Sequence, residues 1–329
     1  MLKYLVIQLD DTSVSFCHYN NILVEHNLIS FDVLKNGIVW AMKENLMIQF
    51  VFPDYTLPAE YLKLIDTVDH STIKPVGEGT DADVIVVQPW DDLDRIAFNN
   101  ASVVMRTSKK DLFENYSRLI SVVSETSRLN VVITDIHKFS ESDFDTYKTI
   151  LGQLVENVKD LYVNGKYVQL NILTDRMLLD GMNNCNAGCE NITLAPDGKF
   201  YVCPAFYLES EGYSVGDLRT GLDIRNPQLY RLDHAPICRK CDAYQCRRCV
   251  WINRKTTLEV NTPSHEQCVI SHLERNASKQ LLESLRSSVA FSGCPDIPAI
   301  NYLDPFEILN DEITPLYFNS RSVMSFVRM

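Results

Sequence analysis

ASVVMRTSKKDLFENYSRLISVVSETSRLNVVITD, residues 101–135, holds a complete strand–helix–strand unit. ASVVMRT at 101–107 and LNVVITD at 129–135 are short apolar runs rich in β-branched residues. DLFENYSRLISVVSE at 111–125 carries its apolar residues at helical spacing. Strands of four to eight residues alternating with helices argue for βαβ units and a parallel sheet. The same alternation extends outward in both directions. Upstream lie strands KYLVIQL at 3–9, MIQFVF at 47–52 and DVIVV at 83–87, with helices FDVLKNGIVWAMKENL at 31–46 and LPAEYLKLIDTVD at 57–69. Downstream, DFDTYKTILGQLVENV at 143–158 reads as a helix and VQLNIL at 168–173 as a sixth strand. Six such units fit an open α/β sheet or a partial barrel, and periodicity alone does not choose.

Composition narrows the function. The chain has 329 residues, 46% of them hydrophobic and 10% aromatic, enough for two domains or one large domain with an appendage. Its formal net charge of −12 disfavours nucleic acid, whose phosphates demand lysine and arginine. The start, MLKYLVIQLDD, has no secretory pattern, and no stretch approaches eighteen uninterrupted apolar residues, so no membrane partner and a cytoplasmic location are expected. Neither GxGxxG after a strand nor GxxxxGK[ST] occurs, and GxSxG and HExxH are absent. Asp10, Asp11, Asp135 and Asp175 fall at strand ends, where α/β folds place chemistry; turn and cap duty is the better reading for them. The seven histidines show no close pairing, although His265 lies near Cys268 and could stand behind a metal ligand.

Eight of the ten cysteines fall between 185 and 268: Cys185, Cys189, Cys203, Cys238, Cys241, Cys246, Cys249 and Cys268. In a reducing compartment clustered cysteines are metal ligands rather than disulfide partners. In CNAGCENITLAPDGKFYVC (185–203), Pro196-Asp197-Gly198 is a turn signal between two β-prone runs, and the hairpin brings Cys203 back toward Cys185 and Cys189. CRKCDAYQCRRC (238–249) holds two C-x2-C knuckles, which suit structural zinc or an iron–sulfur cluster. Arg239, Lys240, Arg247, Arg248 and Arg254 form the one local basic patch and would offset the charge of thiolate-bound metal.

From Cys185 onward the chain resembles the SPASM domain of radical SAM peptide-modifying enzymes. Twelve residues separate Cys185 from Gly198, which opens the family's G-x4-C ending at Cys203; Cys238-x2-Cys241-x4-Cys246-x2-Cys249 and then Cys268 follow, with two gaps each one residue shorter than in the family. The resemblance implies two auxiliary [4Fe-4S] clusters, with Cys185, Cys189, Cys203 and Cys249 holding one and Cys238, Cys241, Cys246 and Cys268 the other; zinc is the alternative. It also implies an α/β fold in which residues 1–180 form a degenerate, partial (β/α)6 barrel, 181–275 the Cys-rich domain and 276–329 a C-terminal helix and irregular tail. Where radical SAM enzymes carry C-x3-C-x2-C after the first strand, this chain has Ser13, Cys17 and Asn20, with Tyr19 at the aromatic position. One thiolate cannot chelate that cluster, so S-adenosylmethionine cleavage is not expected. The combination resembles the CXXX repeat peptide maturase family. That implies an accessory maturase for a ribosomally made, Cys-rich precursor peptide, acting beside a separate radical SAM enzyme. Two other readings stay open: a non-catalytic module in which metal only stabilises a peptide-presenting fold, and a zinc-binding interaction protein. Residues 276–286 read as an amphipathic helix capping the cluster domain, Cys294 as a free thiol, and Trp251 as packing beside the metal site.

Overall fold

The computed structural model describes residues 2–77, 79–88, 90, 93, 101–209, 213–286, 291 and 293–307. Its centre is a sheet of eight strands: β1 (Tyr4–Gln8), β2 (Met47–Val51), β3 (His70–Pro75), β4 (Val84–Val87), β5 (Ser102–Thr107), β6 (Arg128–Ile133), β7 (Asn191–Leu194) and β8 (Phe200–Tyr201). The order is β6-β5-β4-β3-β2-β1-β7-β8, and only the β7–β8 pair is antiparallel. From β1 to β6 each strand lies beside its successor in the chain, so every crossover steps the same way. With right-handed crossovers this puts the connecting helices on one face. The two faces are accordingly unequal. The large core lies on the helical face and includes Leu5, Ile7, Phe50, Ile85, Val103 and Leu129. On the opposite face a smaller apolar cluster takes one residue from each of five strands: Val6, Val51, Ile73, Val86 and Val104.

The helical layer contains α1 (Phe31–Lys43), α2 (Ala59–Ile65), α3 (Lys109–Asn115), α4 (Leu119–Glu125) and α5 (Glu141–Val163). The helix expected over 111–125 is broken in two by a 3-10 turn at Tyr116–Arg118. At the break the Asn115 side-chain amide donates to the Asp111 carbonyl at 2.9 Å, a local bond that competes with helix continuation. The strands expected at 3–9, 47–52, 83–87, 101–107 and 129–135 are all present. The sixth is not the one expected. HSTIKP at 70–75 is a strand that its mixed polarity concealed: only Ile73 is buried, and the Lys74 ammonium sits 4.9 Å above the Phe52 ring. VQLNIL at 168–173 makes a single bridge, Leu170 to Leu129, and then turns. The Asn171 side chain finishes the pairing in place of backbone: it accepts from Val131 N at 2.8 Å and donates to Val131 O at 3.0 Å.

After α6 (Asp175–Leu178), the hairpin of the Cys-rich segment joins the main sheet, because β7 pairs in parallel with β1. Gly37 of α1 lets the helix settle on β7: a Cβ there would stand 2.4 Å from Leu194 Cδ2. Then follow α7 (Pro204–Leu208), the small ribbon β9 (Gly216–Asp217) and β10 (Gly221–Leu222), α8 (Val250–Thr257) and α9 (His265–Leu285). The helix expected at 276–286 thus begins at His265, carries Cys268, and packs along α5 as well as on the knuckles. Most of the tail beyond residue 287 lies outside the described residues; Phe291 stacks on Tyr162 at 5.2 Å. Among the described residues no helix is long and apolar enough to cross a membrane.

Candidate functional site

The loop after β1 folds over the cluster-bearing face of the sheet. Val14 and Phe16 pack on the valine cluster, and Val14 N donates to Phe52 O at 3.0 Å. Arg106, at the end of β5 and 5% exposed, fixes the next four residues. Its Nε donates to Cys17 O at 2.9 Å, and its Nη2 donates to Tyr19 O at 2.5 Å and to Asn20 Oδ1 at 2.9 Å. Between this loop, the inner face of the sheet and the Cys-rich segment lies a cavity of about 580 Å³. Its lining includes the thiols of Cys17, Cys185, Cys203, Cys246 and Cys249 and the amide side chains of Gln49, Asn130, Asn184, Gln245 and Gln267, set in a largely apolar wall.

The hairpin brings Cys203 back to Cys185, as the turn signal implied, and the last knuckle delivers Cys249 to the same place. The Cys203 thiol is pushed well up by burial and by the neighbouring charges of Cys185, Cys249 and Cys17. Cys189 is not brought in. It lines a separate, shallower hollow of about 780 Å³ with Glu190, Arg231, Asp233 and Arg239. Cys238, Cys241, Cys246 and Cys268 lie near one another: burial first, then the proximity of Cys246 and Cys238, raises the Cys268 thiol, and burial with Cys246 nearby pushes Cys238 up to about 12. Burial likewise pushes Cys17 up to about 12 and Cys241 up to about 11. Among the described residues no three His, Cys, Asp or Glu side chains converge tightly enough to hold a single metal ion. The two sets are therefore groups around shared spaces rather than closed coordination spheres.

Backbone N–H groups point at these sulfurs. Ala243 N donates to Cys241 Sγ and Arg248 N to Cys246 Sγ, each at 3.4 Å. Ala187, Ala205 and Ile252 do the same for Cys185, Cys203 and Cys249, partly opposing the effect of burial. Such bonds favour the thiolate form. The knuckle loop is held rigidly: Asp242 takes a two-pronged contact from the fully buried Arg275, at 2.8 and 2.5 Å. Arg248 runs inward at φ 45°, is 1% exposed, and donates to Tyr230 O at 2.5 Å and to Asn184 Oδ1 at 3.1 Å. Its Nη1 has no partner, and the acceptors it does have are neutral. A buried cation without a counter-ion is costly.

Sequence reasoning missed two groups. His272 of α9 lies 3.4 Å from Cys241 Sγ, while His265 turns away to Asp304 at 2.5 Å. Glu274 lines the cavity and accepts from Tyr147 OH at 2.9 Å. Burial first, with Asp175 adding to it, pushes its carboxyl up to about 7 against the opposing hydrogen bonds of Tyr147 and Gln245. His272 comes one helical turn after Cys268, a spacing that could have flagged it; Glu274 left no such signal. The strand-end aspartates serve structure, as expected. Asp10 caps the turn at Thr12 and accepts from Tyr55; Asp11 accepts from Tyr207; Asp135 accepts from Lys109 N; Asp175 pairs with Arg128 at 2.5 Å. Trp251 is buried against Phe206.

No family model matches the sequence, and no curated protein matches it. Solved structures do. Hexahistidine-tagged anSMEcpe with bound AdoMet is 14% identical, with a TM-score of 0.61 over 89% of this chain and 97% of that one. Native anSMEcpe with bound AdoMet and Cp18Cys peptide is 14% identical, with a TM-score of 0.58 over 87% and 100%. The form with Kp18Cys peptide gives 14% and 0.57 over 86% and 99%. At this identity the likeness speaks for architecture, and the chain shares the α/β fold of these structures over 86–89% of its length.

Proposed function

We propose that this chain is an accessory maturase for a Cys-rich peptide, with metal clusters in its Cys-rich segment and without S-adenosylmethionine cleavage of its own. The observation that carries the reading is the cavity. Five thiols and several side-chain amides share its largely apolar wall, and the Gln245 and Gln267 carbonyl oxygens there are buried and unpartnered. A volume near 580 Å³ falls within the usual range for ligand sites, and free amide oxygens suit the N–H groups of a peptide backbone. The fold neighbours add support, since two of them were solved with peptides bound.

The residues fit an anionic metal group. Soft thiols gather in each neighbourhood, with N–H groups aimed at sulfur, and Arg248, near both Cys185 and Cys238, has an unpaired Nη1 ready for a negative charge. Cys238, Cys241, Cys246 and Cys268 would hold one cluster; Cys185, Cys203 and Cys249 would contribute to the other. Bound iron–sulfur clusters would supply electron transfer. The chain's own work is to fix the sulfurs, exclude water from the cavity, and hold a proton on Glu274 near neutrality. The loop after β1 carries one thiol, Cys17, so the partner that cleaves S-adenosylmethionine is a separate radical SAM enzyme.

Anaerobic purification with iron, sulfide and zinc quantification tests this, followed by titration with AdoMet and with a CXXX-repeat peptide. About eight irons per chain, the sum for two Cys₄-ligated clusters, with peptide binding and no AdoMet turnover, is the expected result. Zinc in place of iron would sink the electron-transfer role and leave a metal-stabilised, peptide-presenting module. AdoMet cleavage by the isolated chain would sink the accessory reading.

A further inference from the structure

We infer that Cys17, not Cys189, is the fourth thiol of the first set, so that a cluster held with Cys185, Cys203 and Cys249 would tie the loop after β1 to the Cys-rich segment. The inference rests on the metal-cluster reading above and changes its ligand set. Three observations of placement support it. Cys17, Cys185, Cys203 and Cys249 all line the 580 Å³ cavity and all pack against the main core. Cys189 does neither: it opens on the other hollow, among Glu190, Arg231 and Asp233. The turn that directs it there is fixed, because Tyr230 packs on Gly188 so closely that a Cβ would come within 2.7 Å of the ring. Cys17, in contrast, is carried to the cavity by a segment that Arg106 clamps on both sides, through Cys17 O and Tyr19 O.

Charge gives a second, independent argument. Arg106 is buried, and its acceptors are backbone carbonyls and amide oxygens, all neutral. Arg247 also lines the cavity. The buried Arg106 guanidinium, bonded to Cys17 O, thus stands beside the residue that would lose its proton and bind metal. Ligation is an exchange: the Cys17 thiol releases one proton to solvent as one metal–sulfur bond forms, with no change of oxidation state. Ser13 and Asn20, the other two positions of the radical SAM loop, cannot add thiolates, so this loop can donate one sulfur to a neighbouring set but cannot build a set of its own.

The test is metal content after anaerobic purification of the full chain as wild type, Cys17→Ala, Cys189→Ala, Cys268→Ala and Cys17→Ala/Cys268→Ala, with circular dichroism as the folding control. Cys17→Ala and Cys268→Ala should each lose about half of the bound metal, the share of one Cys₄ site of two. Their combination should lose nearly all, and Cys189→Ala should keep wild-type content. Full metal in Cys17→Ala, or a loss of half in Cys189→Ala, overturns the inference while leaving the cluster reading standing. A wild-type chain that binds no metal overturns both. Should Cys17→Ala fail to fold, iodoacetamide mapping of the wild type decides. Cys17 should be protected in the loaded protein and labelled after chelation, and Cys189 labelled in both; labelling of Cys17 in the loaded protein counts against it.

Discussion

Glu274→Gln should make the protein more stable at alkaline pH and leave it nearly unchanged in mild acid. Glu274 is buried between α9 and α5, with Tyr147 OH as its donor and Asp175 as an unhelpful neighbour. Its carboxyl is pushed up to about 7, chiefly by burial, against an ordinary value of about 4.3. The folded chain therefore holds this proton more tightly than the unfolded chain does. The contribution to stability is fully present below the unfolded value and is lost as pH rises through about 7, after which it levels. With about 1.4 kcal/mol for each unit, the wild type forfeits about 2.5 kcal/mol between pH 5 and pH 8 that a glutamine, neutral throughout, retains. Tyr147 can still donate to the amide oxygen, so the substitution keeps the packing. Urea denaturation of both proteins at matched metal content, at pH 5 and at pH 8, reads the difference. The two stabilities should diverge by that amount toward alkaline pH, with the variant ahead. Parallel pH profiles, or a wild type that is the more stable at pH 8, would show the carboxylate to be solvated or paired and would refute the argument.

Asp242→Asn should cost about 3–5 kcal/mol, the usual penalty for stranding a buried cation, because Arg275 is fully buried and Asp242 takes its two-pronged contact; the urea midpoint reads it, and metal content of the Cys238–Cys268 set should fall in parallel. Asn171→Leu removes the side chain that completes the edge of β6 and leaves Val131 N and O unpaired; a loss of about 1–3 kcal/mol and faster hydrogen exchange at Val131 are expected. Gly37→Ala should destabilise by about 1–3 kcal/mol through overpacking, since its Cβ would stand 2.4 Å from Leu194 Cδ2; an unchanged melting temperature would mean that α1 does not rest on β7.

How much of this was legible in the sequence follows from what each signal physically reports. Apolar runs report burial on both faces of a strand, so β1, β2, β4, β5 and β6 were readable. HSTIKP was not, because β3 buries only Ile73 and its remaining residues are half-exposed. VQLNIL misled for the converse reason. Its leucines and isoleucine are buried, yet the hydrogen bonds that would make it a strand run through the Asn171 side chain, and composition does not distinguish a side-chain amide from a backbone one. The hairpin at 185–203 was readable from its turn, but its incorporation into the main sheet beside β1 was not, since a parallel pairing across more than 180 residues leaves no local trace.

The cysteines show the same limit in the site itself. Spacing within a knuckle is a local constraint, so that Cys238, Cys241 and Cys246 lie near one another is readable from the chain, and α9 adds Cys268 to the same neighbourhood. The fourth partner of Cys185, Cys203 and Cys249 depends on which distant loop reaches the cavity, and spacing along the chain reports only on near neighbours such as Cys189. The Gly188 turn sends that side chain elsewhere, while Arg106, more than a hundred residues from the last knuckle, holds the loop bearing Cys17 over the cavity. A cation buried against neutral acceptors is the trace such a contact leaves. Arg106 and Arg248 both carry it, one beside the loop after β1 and one among the knuckles. Were the thiols around them to remain protonated and metal-free in the working protein, two guanidinium groups would be buried with no counter-charge. That imbalance is the physical reason to look for bound metal here before looking for it anywhere else in the chain.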